Sequence, residues 1–506
     1  MKGINGMKRC FFKGVVPVVA VFMAIAAFVT VIGVLISGCS HADITSGDPV
    51  EIQFLKVENR WYCYSSTGNV IEFDNCSDFQ YLLSGSGKTA VIFLREKDGT
   101  GKLYCYDGKK LAVIADNLTE DFCFDRVKMG YNGSKVYFRK HSEDEYYYAY
   151  SAGKVKKSVK ADFIELISPD GNTLSYTRPS GPDEHAEFVT YYFTGNKEYK
   201  LGFDIMVYAI ADGAKYIYYT DCDEADHNLY VQRGTNENNR VKLSSAFRYI
   251  GYYTSGYLML NRDLSQAIFK SGDDCYISVD GKEPHLVASD NIIIPLVSFY
   301  SEYDATTIPY ICSARDFSGT PFSLSDKDAS RTNICYFSDK YELTESGEYI
   351  PYVDLVFDSP DGKTVYYVMN NTLMKLNLTG MEEKTMVVEE NGVDDFLGST
   401  NDGLVFYLVN GEVYSQKDLN GRVKVTDAPE YHRYYQGYAY YHGFKDRVYT
   451  VADGKLVYSA GNRFDTVEEL SDVLYIDVTE LILFVGTEDG YYFTADGDNF
   501  IKIADK

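Results

Sequence analysis

Nine times along this 506-residue chain a polar turn leads into a short apolar strand that closes on an aromatic residue, at nearly constant spacing. The sharpest copies are ISPDGNTLSYT (167–177) and DSPDGKTVYYV (358–368), with SGSGKTAVIF (84–93) a weaker third. More degenerate copies are GYNGSKVYF (130–138), AIADGAKYIYY (209–219), LNRDLSQAIF (260–269), STNDGLVFY (399–407), YQGYAYY (435–441) and DVTELILFV (477–485). Ser, Pro, Asp and Gly at successive corners suit a type I β-turn, so each copy reads as strand, turn, strand. The closing aromatics are Phe93, Phe138, Tyr176, Tyr218, Phe269, Tyr367, Tyr407, Tyr441 and Phe484, with gaps of 45, 38, 42, 51, 98, 40, 34 and 43 residues. All gaps but one lie near a single period, and 98 is about two of them. A period of this length marks an array of like units rather than a set of unrelated domains.

Between the markers a second hairpin recurs: an aromatic strand, a Gly-containing turn and a final apolar strand. Examples are WYCYSSTGNVIEF (61–73), LYCYDGKKLAVIA (103–115), YYAYSAGKVKKSV (147–159), VYSQKDLNGRVKV (413–425), VYTVADGKLVYSA (448–460) and YYFTADGDNFIKI (491–503). Two hairpins per period make four antiparallel strands, which is the blade of a β-propeller. The expected fold is therefore all-β, with residues 51–506 forming about eight or more blades, in one large ring rather than two smaller ones. Residues 51–75 hold a partial unit, and 291–350 read as a disrupted or inserted one. The Ser-Pro-Asp-Gly turn with its strand, followed by the LYCYDGKK type of hairpin, resembles the TolB-like class of bacterial WD-repeat-like propellers. That resemblance implies an extracytoplasmic binding scaffold and says little about a ligand, because propellers host many functions.

The first 38 residues are of a different kind. Lys2, Lys8, Arg9 and Lys13 form a basic region, and Gly14 to Ser40 carries no charge. Such a stretch is an export signal or a membrane anchor. Ile36, Ser37, Gly38 and Cys39 resemble a bacterial lipobox, which implies lipidation of Cys39 and a lipoprotein held at the outer side of the cell membrane by a short linker, 39–50. Both readings place a hydrophobic helix ahead of the propeller and the propeller outside the cytoplasm. The chain carries 49 basic against 73 acidic residues, a net charge of -24, and a chain cleaved before Cys39 would carry 45 against 73, or -28. A field of that sign repels phosphate backbones, so nucleic acid is not an expected partner.

Recognised chemistry is sparse. SGSGKTAVIF offers Gly87, Lys88 and Thr89 to a phosphate-binding loop, but Leu82 stands where its first glycine belongs and a strand follows where a helix is required. No nucleotide or other cofactor is expected. The seven histidines are scattered, without metal-binding spacing. Asp221, Asp223 and Asp226 in TDCDEADHN could offer oxygen ligands to calcium, although a solvated loop accounts for them equally simply. No G-x-S-x-G pentapeptide occurs. Cys63 and Cys105 take the same place in WYCYS and LYCYD, opposite in face to their flanking tyrosines, as small buried hydrophobes would; disulfides among the eight cysteines after Cys39 stay open. Tyrosine clusters at 145–153 and 431–443 suit either packing between blades or an interaction surface. The functional expectation is a membrane-tethered, non-catalytic binding scaffold for a protein partner. Alternatives are a carbohydrate- or cell-wall-binding protein and a hydrolase with an acidic pair in the propeller channel.

Overall fold

A computed structural model describes residues 50–506 apart from 75, 182–186, 222–226, 248–256, 290, 296–298, 301–309, 313–315, 319–320, 327–331, 351–355, 359–363, 370, 378–384, 390–391, 418–420, 426–440, 462 and 480. The hydrophobic N-terminal helix, the lipobox and Cys39 lie outside these residues. Among the described residues there is no helix long and apolar enough to cross a membrane. Among the described residues strands dominate, gathered into eleven sheets, nine of them four-stranded, whose pairings are antiparallel but for one parallel pair in the sixth. The chain is a β-propeller in construction.

The fourth sheet shows the unit. Its strands Phe163–Ile167, Leu174–Pro179, Phe188–Thr194 and Lys197–Phe203 pair in chain order. The first two are joined by the Ser168–Pro169–Asp170–Gly171 turn, in which the Gly171 N–H donates to the Ser168 carbonyl at 2.8 Å. Gly171 has φ +74, a conformation open to glycine at little cost, and a Cβ there would meet the Lys135 Cβ at 2.7 Å. The same first-to-fourth bond closes the turns at Ser84–Gly87, Gly130–Gly133, Ala211–Ala214, Asn261–Leu264 and Thr400–Gly403. SGSGKTAVIF is thus a turn that runs into the strand Ala90–Glu96.

The marker aromatics explain the period. Four of them lie on a second strand and stack on the residue directly opposite on the third: Phe138 on Tyr148, Tyr176 on Tyr191, Phe269 on Tyr276 and Tyr407 on Tyr414. Directly opposed aromatic pairs are a favourable cross-strand contact. Tyr441 is a misassignment in the sequence reading, since it opens the first strand of the tenth sheet, Tyr441–Phe444. The marker slot there belongs to Tyr449, which pairs with Tyr458. A two-residue turn at Lys445 and Asp446 replaces the longer polar turn and hid the true second strand.

Sheets pack face to face through apolar clusters, and tyrosine is their main filler: of the twelve largest fully enclosed side chains among the described residues, eleven are tyrosines. Tyr147 of the 145–153 cluster is one of them. Cys63 packs toward the second sheet while Tyr62 and Tyr64 pack toward the eleventh. Cys105 likewise faces the third sheet and Tyr106 the first. Cys63, Cys76, Cys105, Cys123 and Cys275 are free thiols, and burial pushes the Cys105 thiol up to about 12.

First strands of neighbouring sheets approach one another between the third and fourth, fourth and fifth, ninth and tenth, and tenth and eleventh sheets. The first sheet has three strands, Ile52–Val57, Arg60–Ser65 and Val70–Phe73. Its middle strand carries Cys63 in the place that Cys105 takes on a third strand, so Ile52–Val57 corresponds to a second strand. This sheet packs on the eleventh through Tyr62, Tyr64, Ile482, Phe493, Ile503 and Ala504, bringing the two ends of the repeat array together.

Candidate functional site

The turns between first and second strands gather on one rim, and at six junctions among the described residues one turn bonds to the next. Ile52 N–H donates to the Gly87 carbonyl, Ser86 N–H to Tyr131, Asn132 N–H to Pro169 and Asn401 N–H to Lys445, at 2.7 to 3.1 Å. In these links the acceptor is a backbone carbonyl. Two links differ. Between the fourth and fifth sheets the Asp170 N–H donates to Asp212 Oδ1 at 2.9 Å, and between the eleventh and first the Leu481 N–H donates to Glu51 Oε2 at 2.9 Å. A carboxylate has taken the carbonyl's part in both.

Asp170 and Asp212 are brought within hydrogen-bonding reach of each other by this link. Asp170 also accepts from Ser168 Oγ at 2.7 Å, from the Asn172 N–H at 2.8 Å and from Asn172 Nδ2 at 2.9 Å. Burial resists its ionisation, but these bonds outweigh burial and hold its carboxyl below the usual range. Asp212 is driven the other way, up to about 6, first by burial of its carboxyl against the neighbouring turn and then by the charge of Asp170. Asp170 therefore favours its charged form and Asp212 its protonated one, so that at mildly acid pH a carboxylate stands beside a carboxylic acid. Asp212 as a residue is exposed on the rim.

A third acidic group stands on the same wall. Glu165 belongs to the first strand Phe163–Ile167, where a shift of register between Ile164 and Leu166 leaves it as the extra residue of a bulge. Tyr208 and Leu397 fill the corresponding bulges of the fifth and ninth sheets. Glu165 thus puts a carboxylate in a slot that elsewhere holds an aromatic or aliphatic side chain. Its Oε2 is enclosed without a hydrogen-bond partner, and burial lifts its carboxyl to about 7.

The sequence candidates fare differently. Asp221 is engaged in its own hairpin, accepting from the Asn228 N–H and Nδ2 at 2.9 Å each and from Tyr230 Oη at 3.1 Å. Burial opposes its charge, but these bonds hold its carboxyl low. Asp223 and Asp226 lie outside the described residues. Among the described residues no three His, Cys, Asp or Glu side chains come together as a metal site needs. Sequence reasoning placed an acidic pair in the propeller channel, as one alternative and without naming residues, whereas Asp170 and Asp212 stand on rim turns. The signal was present in two of the repeat turns, where Asp170 and Asp212 each follow the turn's first residue within two positions, but their approach depends on the packing of adjacent sheets.

No protein-family model matches the chain, and no curated protein is significantly similar to it in sequence. Solved structures with related architecture exist. One, from work on two prolyl endopeptidases, has TM-score 0.32 and 12% identity over 68% of this chain and 54% of its own, so this chain spans about half of that enzyme's length. The GH74 enzyme of Niastella koreensis has TM-score 0.25 and 10% identity, covering 92% of this chain and 86% of its own. The β-propeller domain of the Trilobed protease from Pyrococcus furiosus has TM-score 0.29 and 11% identity, covering 62% and 95%. All three are enzymes or parts of enzymes, and the expectation of a non-catalytic scaffold is withdrawn. At these scores the likeness assigns no activity to this chain, whose chemistry has to come from its own residues.

Proposed function

We propose that this chain is a hydrolase-type β-propeller, a single ring of eleven blades, whose rim pair Asp170 and Asp212 provides acid–base chemistry. The observation that carries the reading is the opposite displacement of two touching carboxyls on neighbouring turns, which separates an acid from a base. Asp212 gives its proton to the departing atom while Asp170 takes one from the attacking water, so the pair ends each cycle with the proton count it began with. Glycosidases set their carboxyls about 5 Å or more apart. A pair that shares a proton directly fits attack on a carbonyl, so the bond cleaved is a peptide, amide or ester. The TolB-like character of the repeats and the lipobox support tethering through a lipid on Cys39 outside the cytoplasm. Substrates are then peptide-bearing molecules of the envelope, either proteins or the peptides of cell-wall glycan.

A pooled fluorogenic peptide and ester library tests the chemistry. Cleavage strongest on the acid side of pH 6, where Asp170 is ionised and Asp212 still protonated, and lost in both Asp170→Asn and Asp212→Asn supports it; cleavage that survives in both variants, or none with the wild-type chain, overturns it. Tethering is tested separately by fractionation, with Cys39→Ser expected to release the protein from the membrane fraction.

A further inference from the structure

The three strands of the first sheet correspond to the second, third and fourth of the unit, and among the described residues no strand pairs with the far edge of Ile52–Val57. The match of WYCYS to LYCYD sets Gln53, Phe54, Leu55 and Lys56 against Ala90, Val91, Ile92 and Phe93 of the second sheet. There the first strand covers those four positions, pairing Leu83, Leu82, Tyr81 and Gln80 with them, and each is 1% exposed or less. Second-strand residues Val136–Phe138, Leu174–Tyr176, Ile217–Tyr219 and Ala267–Phe269 are enclosed to the same degree. In the first sheet Gln53, Phe54 and Leu55 are only half-buried and Lys56 is exposed. The edge offers the place of one strand.

Its backbone is set to pair. Val57 and Arg60 close a two-residue turn and the Ser66 N–H donates to the Glu51 carbonyl at 2.9 Å, so positions 51, 53, 55 and 57 bond toward the strand Arg60–Ser65. Phe54 and Lys56 therefore turn their N–H and C=O groups to the open side, as Ile52 does in donating to Gly87. The two flanks of the edge differ in chemistry. Toward the second sheet, Phe54 stacks on Tyr81 at 4.0 Å and Trp61 on Phe79 at 4.5 Å, with the Lys56 ammonium 5.5 Å from the Trp61 ring centre. Toward the eleventh, Gln53 and Leu55 share a face with the enclosed Glu51. Asp477 lies on the eleventh sheet opposite Phe484, whose ring is 6.3 Å from that of Tyr64, so it too is turned to the first sheet. One flank is aromatic and the other carries two carboxyls.

We propose that this edge docks an extended peptide of a partner protein, added as a fourth strand antiparallel to Ile52–Val57, with apolar side chains against Phe54 and Tyr81 alternating with Lys or Arg beside Asp477 and Glu51. Strand alternation delivers the two kinds of side chain to the two flanks. Charge selects the occupant: the chain's own linker, 39–50, contains Asp43 and Asp48 and no Lys or Arg, and so suits the acidic flank poorly. The docking stands apart from the rim chemistry and needs no cleavage.

The probe is a fluorescein-labelled peptide, Gly-Ser-Val-Arg-Phe-Arg-Ser-Gly, titrated with the full chain and read by fluorescence anisotropy at physiological salt. In the antiparallel register its Val and Phe fall opposite Lys56 and Phe54, and its two Arg opposite Leu55 and Gln53. N-methylation at Val and Phe removes the bonds to the edge and should weaken binding at least tenfold. N-methylation at the two Arg, whose N–H groups point away, should change it less than threefold. Glutamate in place of both Arg should abolish binding. Lys56→Pro removes one outward donor and no bond to Arg60–Ser65, and should also cost at least tenfold, with amide exchange at Leu481 unchanged as the sign of an intact junction. Asp477→Asn should narrow the preference for Arg over Gln in the peptide. Equal binding of the two N-methylated forms, or full binding by Lys56→Pro, would reduce the effect to attraction between a cation and an acidic protein and overturn the proposal, as would no binding to the wild-type chain. Binding that appears only after residues 41–49 are replaced by Gly and Ser would give the edge to the chain's own linker and overturn it equally.

Discussion

Glu51 is the residue whose removal the structure makes most measurable. Its side chain is enclosed where the first sheet meets the eleventh, and it accepts from Gln53 Nε2 at 2.7 Å, Thr479 Oγ1 at 3.0 Å and the Leu481 N–H at 2.9 Å. In Glu51→Ala two side-chain bonds are lost, at about 1 kcal/mol each, and a backbone N–H is left without its acceptor at about 1–3 kcal/mol. Relief of a buried carboxylate offsets part of this, so the junction should weaken by about 3 kcal/mol, or roughly a hundredfold in local opening. Glu51→Gln retains an oxygen for Leu481 and Thr479 and should lose about half as much. A chain of this size need not unfold in one step, so a melting temperature is the wrong readout; amide exchange at Leu481 and along Val473–Val478 reports the junction directly. Burial raises the Glu51 carboxyl above its ordinary value against the pull of its three donors. Its contribution is therefore fully present below the unfolded value and declines as pH rises through the folded one. Protection factors at the wild-type junction, taken against the intrinsic exchange rate at each pH, should fall as pH rises from the ordinary glutamate range to pH 8, and Glu51→Gln should flatten that fall. Exchange at Leu481 unchanged in Glu51→Ala would refute the reasoning outright.

The other expectations are local. Gly171→Ala forces a side chain onto a left-handed residue and against Lys135; a cost of about 1–3 kcal/mol should appear as faster exchange in the turns at 130–135 and 168–173. Glu165→Leu restores the apolar occupant seen at position 397. Since the Glu165 carboxyl sits at about 7, its burial costs little below pH 4.5 and up to about 3 kcal/mol at pH 8. Amide exchange along Phe163–Ile167 should show the variant better protected than wild type at pH 8 and little different at pH 4, and equality at both would mean that the carboxyl is solvated. For the rim pair, cleavage should rise as the first carboxyl ionises and fall as pH passes about 6, where Asp212 loses its proton; a rate still climbing at pH 8 would assign the proton to another group.

Much of the fold was legible because the repeat is written in both turns and aromatics. A Ser-Pro-Asp-Gly corner and a tyrosine opposite a tyrosine constrain only their own hairpin, so each can be read without knowing what packs on it. Where the local signal changed, the reading slipped. The tenth repeat uses the turn Lys445–Asp446 in place of a longer polar one, and the marker was assigned to Tyr441 when Tyr449 holds the slot. The faces of Cys63 and Cys105 were equally legible, because strand alternation fixes them once the strand is known. The sixth sheet's two extra strands were not, since a parallel pairing across fifty residues leaves no periodic trace.

The rim pair was illegible for a different reason. Aspartate in a repeat turn is an ordinary turn residue, and Asp170 and Asp402 both do the ordinary thing, accepting from the Ser or Thr two positions earlier. What separates one such aspartate from the next is the residue that the following sheet delivers to it. At Asp402 that turn is answered by a backbone carbonyl, Lys445 to the Asn401 N–H, and by the Lys417 ammonium on its own sheet. At Asp170 it is answered by a second carboxylate. The pairing of like charges costs energy wherever both are ionised, and that cost is avoided by keeping a proton on Asp212. A repeat protein that needed only to join one turn to the next had a carbonyl available for the purpose, as four of its links use, although Glu51 does the same service with a carboxylate between the eleventh and first sheets. The substitution of a carboxylate at this link gives the rim a titrating group near neutrality that the joining of turns does not require, and it is on that surplus that the catalytic reading rests.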